Sequence, residues 1–259
     1  MDGSFLTNQE VIEASRDFVC IRCATYEDAK EAEYLRWVFT RNDSLENTVF
    51  CMLSPDGKEK LIRANRGPMQ FRRPSNMATK MDSIAAEYVG DADEDNSLVA
   101  IPKMKDVRLG MNVAACERLP AILVMGQSDE QVAELEAKLS PAAWDKALQG
   151  MFIYFSATNK EEVEVIEQFN GEPGYVIIQP DPFGQTGEIL AQYSANATAD
   201  ELKAAMVELA ETHERPIIDY QNHVRNGNRK GAIWETEIPI EDKGSLRAME
   251  RNRQPRRGR

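Results

Sequence analysis

Residues 119–139 read LPAILVMGQSDEQVAELEAKL. The apolar run to Met125, with Pro120 at its start, has the character of a strand buried on both faces. Ser128 then stands as an N-cap ahead of two acids, and Val132, Leu135 and Leu139 share one stripe, so the chain turns from strand to helix at Gly126. Further out, MFIYFSA (151–157) is a second strand. TNKEEVEVIEQFNG (158–171) predicts a helix, with Thr158 or Asn159 as cap, a Val163, Ile166 and Phe169 stripe and Gly171 as stop. GYVIIQPDPFGQTGEILAQYS (174–194) predicts two strands joined by a Pro/Gly/Asp turn. TADELKAAMVELAETH (198–213) sets Leu202, Ala205, Met206, Leu209 and Ala210 on one helical face. The resulting α/β order is two parallel strands with a crossover helix, an antiparallel hairpin and a closing helix, a mixed sheet flanked by helices.

That order, with Pro173 just ahead of the hairpin and a helix through RLGMNVAACER (108–118), resembles the thioredoxin fold over about residues 107–213. The first half repeats it in part. TNQEVIEASRD (7–17) predicts a helix, FVCIRCATY (18–26) a strand and EDAKEAEYLRWVF (27–39) a helix. NTVFCMLSPDGKEKLIRANRG (47–67) predicts a hairpin turning at Ser54-Pro55-Asp56-Gly57, and NMATKMDSIAAEYVG (76–90) a closing helix. The expected organisation is an incomplete thioredoxin-like domain at 1–90, an acidic linker at 91–106, a thioredoxin-like domain at 107–214, an extension at 215–242 packing on the domains, and a flexible tail at 243–259. The first domain lacks its N-terminal central strand. Its place is expected to be filled by the second domain, the C-terminal segment or a partner chain, because an open central position strands backbone donors and acceptors.

Cys20-Ile-Arg-Cys23 has the spacing of a dithiol redox centre. Such a pair works at a helix N-terminus, where one turn sets the sulfurs close and the helix stabilises a thiolate. On a strand, a rise of about 3.3 Å per residue puts the two Cα atoms roughly 10 Å apart, beyond the roughly 7 Å a disulfide spans. Cys20 and Cys23 therefore read as small apolar strand residues, with a redox pair as the alternative. In the second domain the thioredoxin resemblance places the catalytic motif at Gly126-Gln127-Ser128-Asp129-Glu130, which holds no cysteine and so supports no disulfide exchange. The resemblance also makes Pro173 a possible cis-proline; a strand-start residue is the other reading.

Four cysteines with no second CxxC and only two histidines argue against a structural zinc site, and no cofactor motif is present: GQTG (184–187) is a hairpin turn, and His213 and His223 are isolated. No apolar run reaches the length of a membrane span, and the N-terminal residues lack a secretory pattern, so the expectation is a cytoplasmic protein, or an extracytoplasmic one if the N-terminus is processed.

Two stretches suggest partners. GPMQFRRPSNM (67–77) joins Met69, Phe71, Arg72 and Arg73, a combination enriched at interfaces, though an ordinary surface loop fits as well. The chain carries a net charge of −12, yet from Lys243 onward Arg247, Arg251, Arg253, Arg256, Arg257 and Arg259 face one acid, Glu250. An acidic body repels nucleic acid, and no aromatics are interleaved to stack bases, so an acidic protein surface is the expected target of the tail. The sequence thus reads as a redox-inactive tandem thioredoxin-like protein, not an enzyme, acting in protein–protein interaction or as part of an assembly. A thiol-disulfide oxidoreductase using Cys20 and Cys23 and nucleic-acid binding by the tail are the alternatives.

Overall fold

A computed structural model describes residues 5–41, 44–46, 48–88, 100–241 and 243–253. The chain divides into two compact units. Unit 1 comprises Met1–Ala92 together with Glu235–Arg259, and unit 2 spans Asp93–Trp234.

Unit 2 is a mixed α/β body. Helix α4 (Val107–Glu117) leads into β3 (Ala121–Met125), α5 (Asp129–Ala143), β4 (Ile153–Ala157), β5 (Gly174–Pro180), β6 (Gly187–Ser194), α6 (Ala199–Thr212) and α7 (Tyr220–Lys230). The strands form one sheet in the order β4-β3-β5-β6. β3 runs parallel to β4, through the α5 crossover, and antiparallel to β5, which forms a hairpin with β6. β3 is buried along its whole length, and its alternation serves two cores. Ile122 and Val124 pack with Val132, Leu135, Leu202 and Met206 of α5 and α6. Leu123 and Met125 pack with Met111 of α4 and Phe155 of β4. α4 approaches closely because residue 110 is glycine: a Cβ there would lie 2.1 Å from the Phe155 ring. Ser128 caps α5 as expected, and Thr198 and Glu201 close a capping box on α6.

Two stretches of unit 2 depart from expectation. The helix foreseen across 158–171 is only a 3₁₀ turn, Lys160–Val163, capped by Asn159. Beyond it the backbone of 165–167 is taken by the sheet: Glu167 donates to the Gly187 carbonyl and Gly187 to that of Val165. Val163 and Ile166 are buried as anchors under the sheet, while Glu164 and Val165 between them are exposed, so the spacing of three served two point contacts and not a helical stripe. The described part of the expected linker, 100–106, packs onto unit 2: Ile101 is buried in its core, the Trp144 indole donates to the Ala100 carbonyl, and Lys103 forms a parallel bridge with Tyr154.

Unit 1 is built on helices. Asn8 caps α1 (Gln9–Ser15), Asp28 caps α2 (Ala29–Val38), and Pro74 opens α3 (Pro74–Ala85). Val11 and Ala14 of α1 meet Met77, Ala78, Met81 and Ile84 of α3 in one core, joined by Phe5 and Met52. Among the described residues its only strands are β1 (Thr40–Arg41) and β2 (Ser44–Leu45), and the expected hairpin survives as two isolated bridges, Phe50 with Asn65 and Leu53 with Lys60. The strand foreseen at 18–26 is absent: 19–24 are irregular, and Val19 and Ile21 are exposed. A strand needs a partner ladder for its amides, and among the described residues no strand pairs with this segment.

The chain re-enters unit 1 at its end. Ile238 donates to the Tyr26 carbonyl at 2.9 Å, Ile238 and Ile240 pack against Tyr26, Ala32 and Leu45, and Glu241 accepts from the Leu45 amide at 3.1 Å while pairing with Arg36 at 2.5 Å. Residues 235–241 are thus a strap over a small core. Helix α8 (Lys243–Arg253) follows.

Candidate functional site

None of the four cysteines is in a disulfide. Cys20 and Cys23 lie on irregular backbone between α1 and α2, not at a helix N-terminus. The Cys20 Sγ turns back toward the Ser15 carbonyl, 4.0 Å away. The Cys23 thiol has the Glu31 carboxylate as its electrostatic neighbour, and that carboxylate accepts from the Ala24 amide at 2.5 Å. Burial pushes the Cys20 thiol above its ordinary pKa. Burial first, and then Glu31, push the Cys23 thiol up as well. Both effects favour the protonated, poorly nucleophilic form, the reverse of what a redox dithiol requires.

In unit 2 the junction at 126–130 is a plain helix start. Ser128 accepts from the Gln131 amide, and the Gln131 side chain accepts from the Gln127 amide. No cis peptide occurs among the described residues, so Pro173 is a trans strand-start residue and the cis expectation fails.

The 67–77 loop has a defined shape. Gly67 and Arg72 have positive φ, 82° and 65°, around a 3₁₀ turn at Pro68–Phe71. Phe71 faces inward against Phe50 in an edge-on contact at 6.1 Å, so it anchors the loop and does not present itself to a partner. Met69 is 65% exposed, and Arg72 and Arg73 are exposed with no ion pair among the described residues. Arg63 is exposed nearby in sequence and also has none, whereas Arg66 lies 3.1 Å from the buried Glu46 carboxylate. Of the basic tail, Arg247, Arg251 and Arg253 lie on α8, and Arg256, Arg257 and Arg259 lie outside the described residues.

One concave feature of unit 2 was not foreseen. A cavity of about 550 Å³ opens between the end of α4, the β5–β6 turn and α7. It sits at the end of the sheet opposite the 126–130 junction, because Met125 pairs with Gly174 while the hairpin turn lies beyond Pro180. α7 docks beside it through Phe183, which stacks on His223 with centroids 4.7 Å apart and has the Lys230 ammonium 5.4 Å from its ring centre. Gly227 permits this approach, since a Cβ there would meet the Phe183 ring at 3.1 Å. Arg118, which closes α4 with a φ of 59°, fastens the other wall by donating to the Pro216 carbonyl at 3.1 Å and accepting from His213 at 3.0 Å. Within the extension expected at 215–242, Asp219 as cap, Arg229 and Lys230 in the last turn and Gly231 in the left-handed region after it are the signals that mark the helix.

No family model matches the chain, and neither a curated protein nor a solved structure matches it. No group of His, Cys, Asp or Glu among the described residues is placed to hold a metal ion, and no described helix is long and apolar enough to cross a membrane.

Proposed function

We propose that this chain is a redox-inactive binding protein of thioredoxin-like architecture that docks an acidic protein surface within a larger assembly. The sheet order of unit 2, with its parallel crossover, hairpin and closing helix, supports the thioredoxin-like reading there. Among its described residues unit 1 forms only the two-stranded β1–β2 sheet, so the reading of an incomplete first domain rests on the sequence resemblance. The observation that carries the absence of redox function is the placement of Cys20 and Cys23. They sit on irregular chain, unbonded and held protonated, while the corresponding junction of unit 2 has no sulfur.

The docking half rests on the 67–73 loop. An exposed methionine beside two unpaired arginines, on a backbone fixed by Phe71 and two positive-φ turns, is a preorganised anchor for an apolar and acidic surface. The test pairs two measurements on the full chain. In an insulin-reduction assay it shows no turnover above buffer. As bait in extract of its source cells it retains a discrete set of acidic proteins that the triple variant Met69→Ala, Arg72→Glu, Arg73→Glu loses. Disulfide exchange by the native chain, or the same retained set for both proteins, contradicts the proposal.

A further inference from the structure

We infer that the cavity between α4, the β5–β6 turn and α7 is a binding site for a small organic anion, a phosphorylated or carboxylated molecule with an apolar body. Its volume of about 550 Å³ falls in the range that encloses small ligands. The lining divides into apolar walls, which include Pro180, Pro182, Pro216 and Ile218, and a polar face supplied mainly by one side of α7.

The charges at the cavity are unequal in availability. Its two carboxylates are committed to the backbone. Asp181 accepts from the amides of Phe183, Gln185 and Thr186, at 2.5, 3.1 and 2.8 Å, and so builds the hairpin turn. Asp219 accepts from the amides of Gln221 and Asn222, at 2.9 and 3.2 Å, and from the Asn222 side chain at 2.8 Å, and so caps α7. The cations are not so consumed. Arg118 spends one N–H on Pro216 and keeps the rest of its fork, and Arg229 makes no ion pair among the described residues. Lys230 makes no ion pair among the described residues and lies over the Phe183 ring. Asn226, one turn before Arg229 or Lys230 on the same helix, adds amide donors. The lining therefore offers donors and positive charge in excess of acceptors, and a guanidinium fork on either side suits the planar or tetrahedral oxygens of carboxylate or phosphate. This cationic recess belongs to a unit otherwise rich in acid, so it is a local feature and not a sample of the surface average.

The experiment titrates the isotopically labelled full chain with phenyl phosphate, benzoate, benzyl alcohol and inorganic phosphate, following backbone amides by NMR. The expected result is saturable shifts confined to residues 115–118, 179–186 and 216–230 for phenyl phosphate or benzoate. Benzyl alcohol and inorganic phosphate are expected to bind at least roughly tenfold more weakly, since each lacks one half of the complementarity. Arg229→Gln lies on a solvent-facing part of α7 and keeps a helix-compatible side chain. It is expected to weaken phenyl phosphate binding roughly fivefold or more while the rest of the spectrum stays unchanged. Arg118→Gln serves as a second variant with the same direction of effect. No saturable shift up to about 20 mM of either organic anion overturns the inference. So does equal affinity for benzyl alcohol or inorganic phosphate, or undiminished binding by both variants.

Discussion

Replacing Glu241 tests whether the C-terminal strap is an integral part of unit 1. Its carboxylate does two jobs: it pairs with Arg36 and accepts from the Leu45 amide, 3.1 Å away on a residue that is fully buried. The ion pair is 38% and 39% exposed at its two side chains, so solvent screening leaves it about 0.5 kcal/mol. The buried amide left without an acceptor costs about 1–3 kcal/mol. Glu241→Ala is therefore expected to destabilise unit 1 by about 2 kcal/mol, and Arg36→Ala by about 0.5 kcal/mol. Glu241→Gln keeps an oxygen for the amide and loses only charge, so it falls near the Arg36 variant. Native-state hydrogen exchange reads the effect in the right unit: about 2 kcal/mol accelerates the slow amides of α1–α3 roughly 30-fold. Equal effects of Glu241→Ala and Glu241→Gln, or an alanine effect under about 0.5 kcal/mol, would refute the assignment of the bond to the buried amide.

Four further outcomes follow from the packing and the charges. Gly110→Ala drives a methyl into the Phe155 ring, which is fully buried, and is expected to cost about 3 kcal/mol or more in the unfolding of unit 2, with partial recovery when Phe155→Leu is added. The Tyr154 hydroxyl is buried without a hydrogen-bond partner among the described residues, and burial pushes its pKa up so that it stays protonated; Tyr154→Phe is expected to leave thermal stability unchanged or raise it by up to about 1 kcal/mol, and a clear loss would reveal a hidden partner. A hydrogen bond from Lys203, then the Ala147 amide, hold the Asp145 carboxyl below the usual range. Its contribution is thus present above the unfolded value near pH 3.9 and fades as the pH falls through the lower folded value. Asp145→Asn should flatten the acid limb of the urea-unfolding profile below about pH 4, and an unchanged limb contradicts this. Cys20 and Cys23 should react with iodoacetamide at pH 7 more slowly than free cysteine and accelerate steeply above the ordinary thiol range near pH 8.5; peptide-resolved mass spectrometry separates the two sites.

The sheet of unit 2 was legible because its local signals agree. The apolar run at 121–125, the Ser128 and Thr198 caps and the turn residues between Pro180 and Gly187 each point to the element that forms. The misreadings arose where distant backbone decided the outcome. The pattern of Val163 and Ile166 fits a helix, but the edge at Gly187 captured the Glu167 amide and the Val165 carbonyl that a helix would have used. FVCIRCATY has strand composition, yet a strand without a neighbour does not form, so Cys20 and Cys23 emerged on irregular chain. Pairing of Glu241 with Leu45 joins positions at opposite ends of the sequence, and nothing local in TEIPIE announces it. The cavity was hidden for a related reason. HVRNGNRK has the polar, Asn- and Gly-rich look of a loop, and α7 is held there by Phe183 fitting against Gly227 and His223.

The most direct measurement equilibrates the full chain in glutathione buffers from about −300 to −180 mV and counts free thiols by mass after alkylation, with Cys20 and Cys23 resolved on one peptide. Thiols on irregular chain, one turned to Ser15 and the other beside Glu31, are expected to remain reduced and independent across that range. A reversible, two-electron loss of both on the same molecule, with no change at Cys51 or Cys116, would contradict a binding protein without redox function.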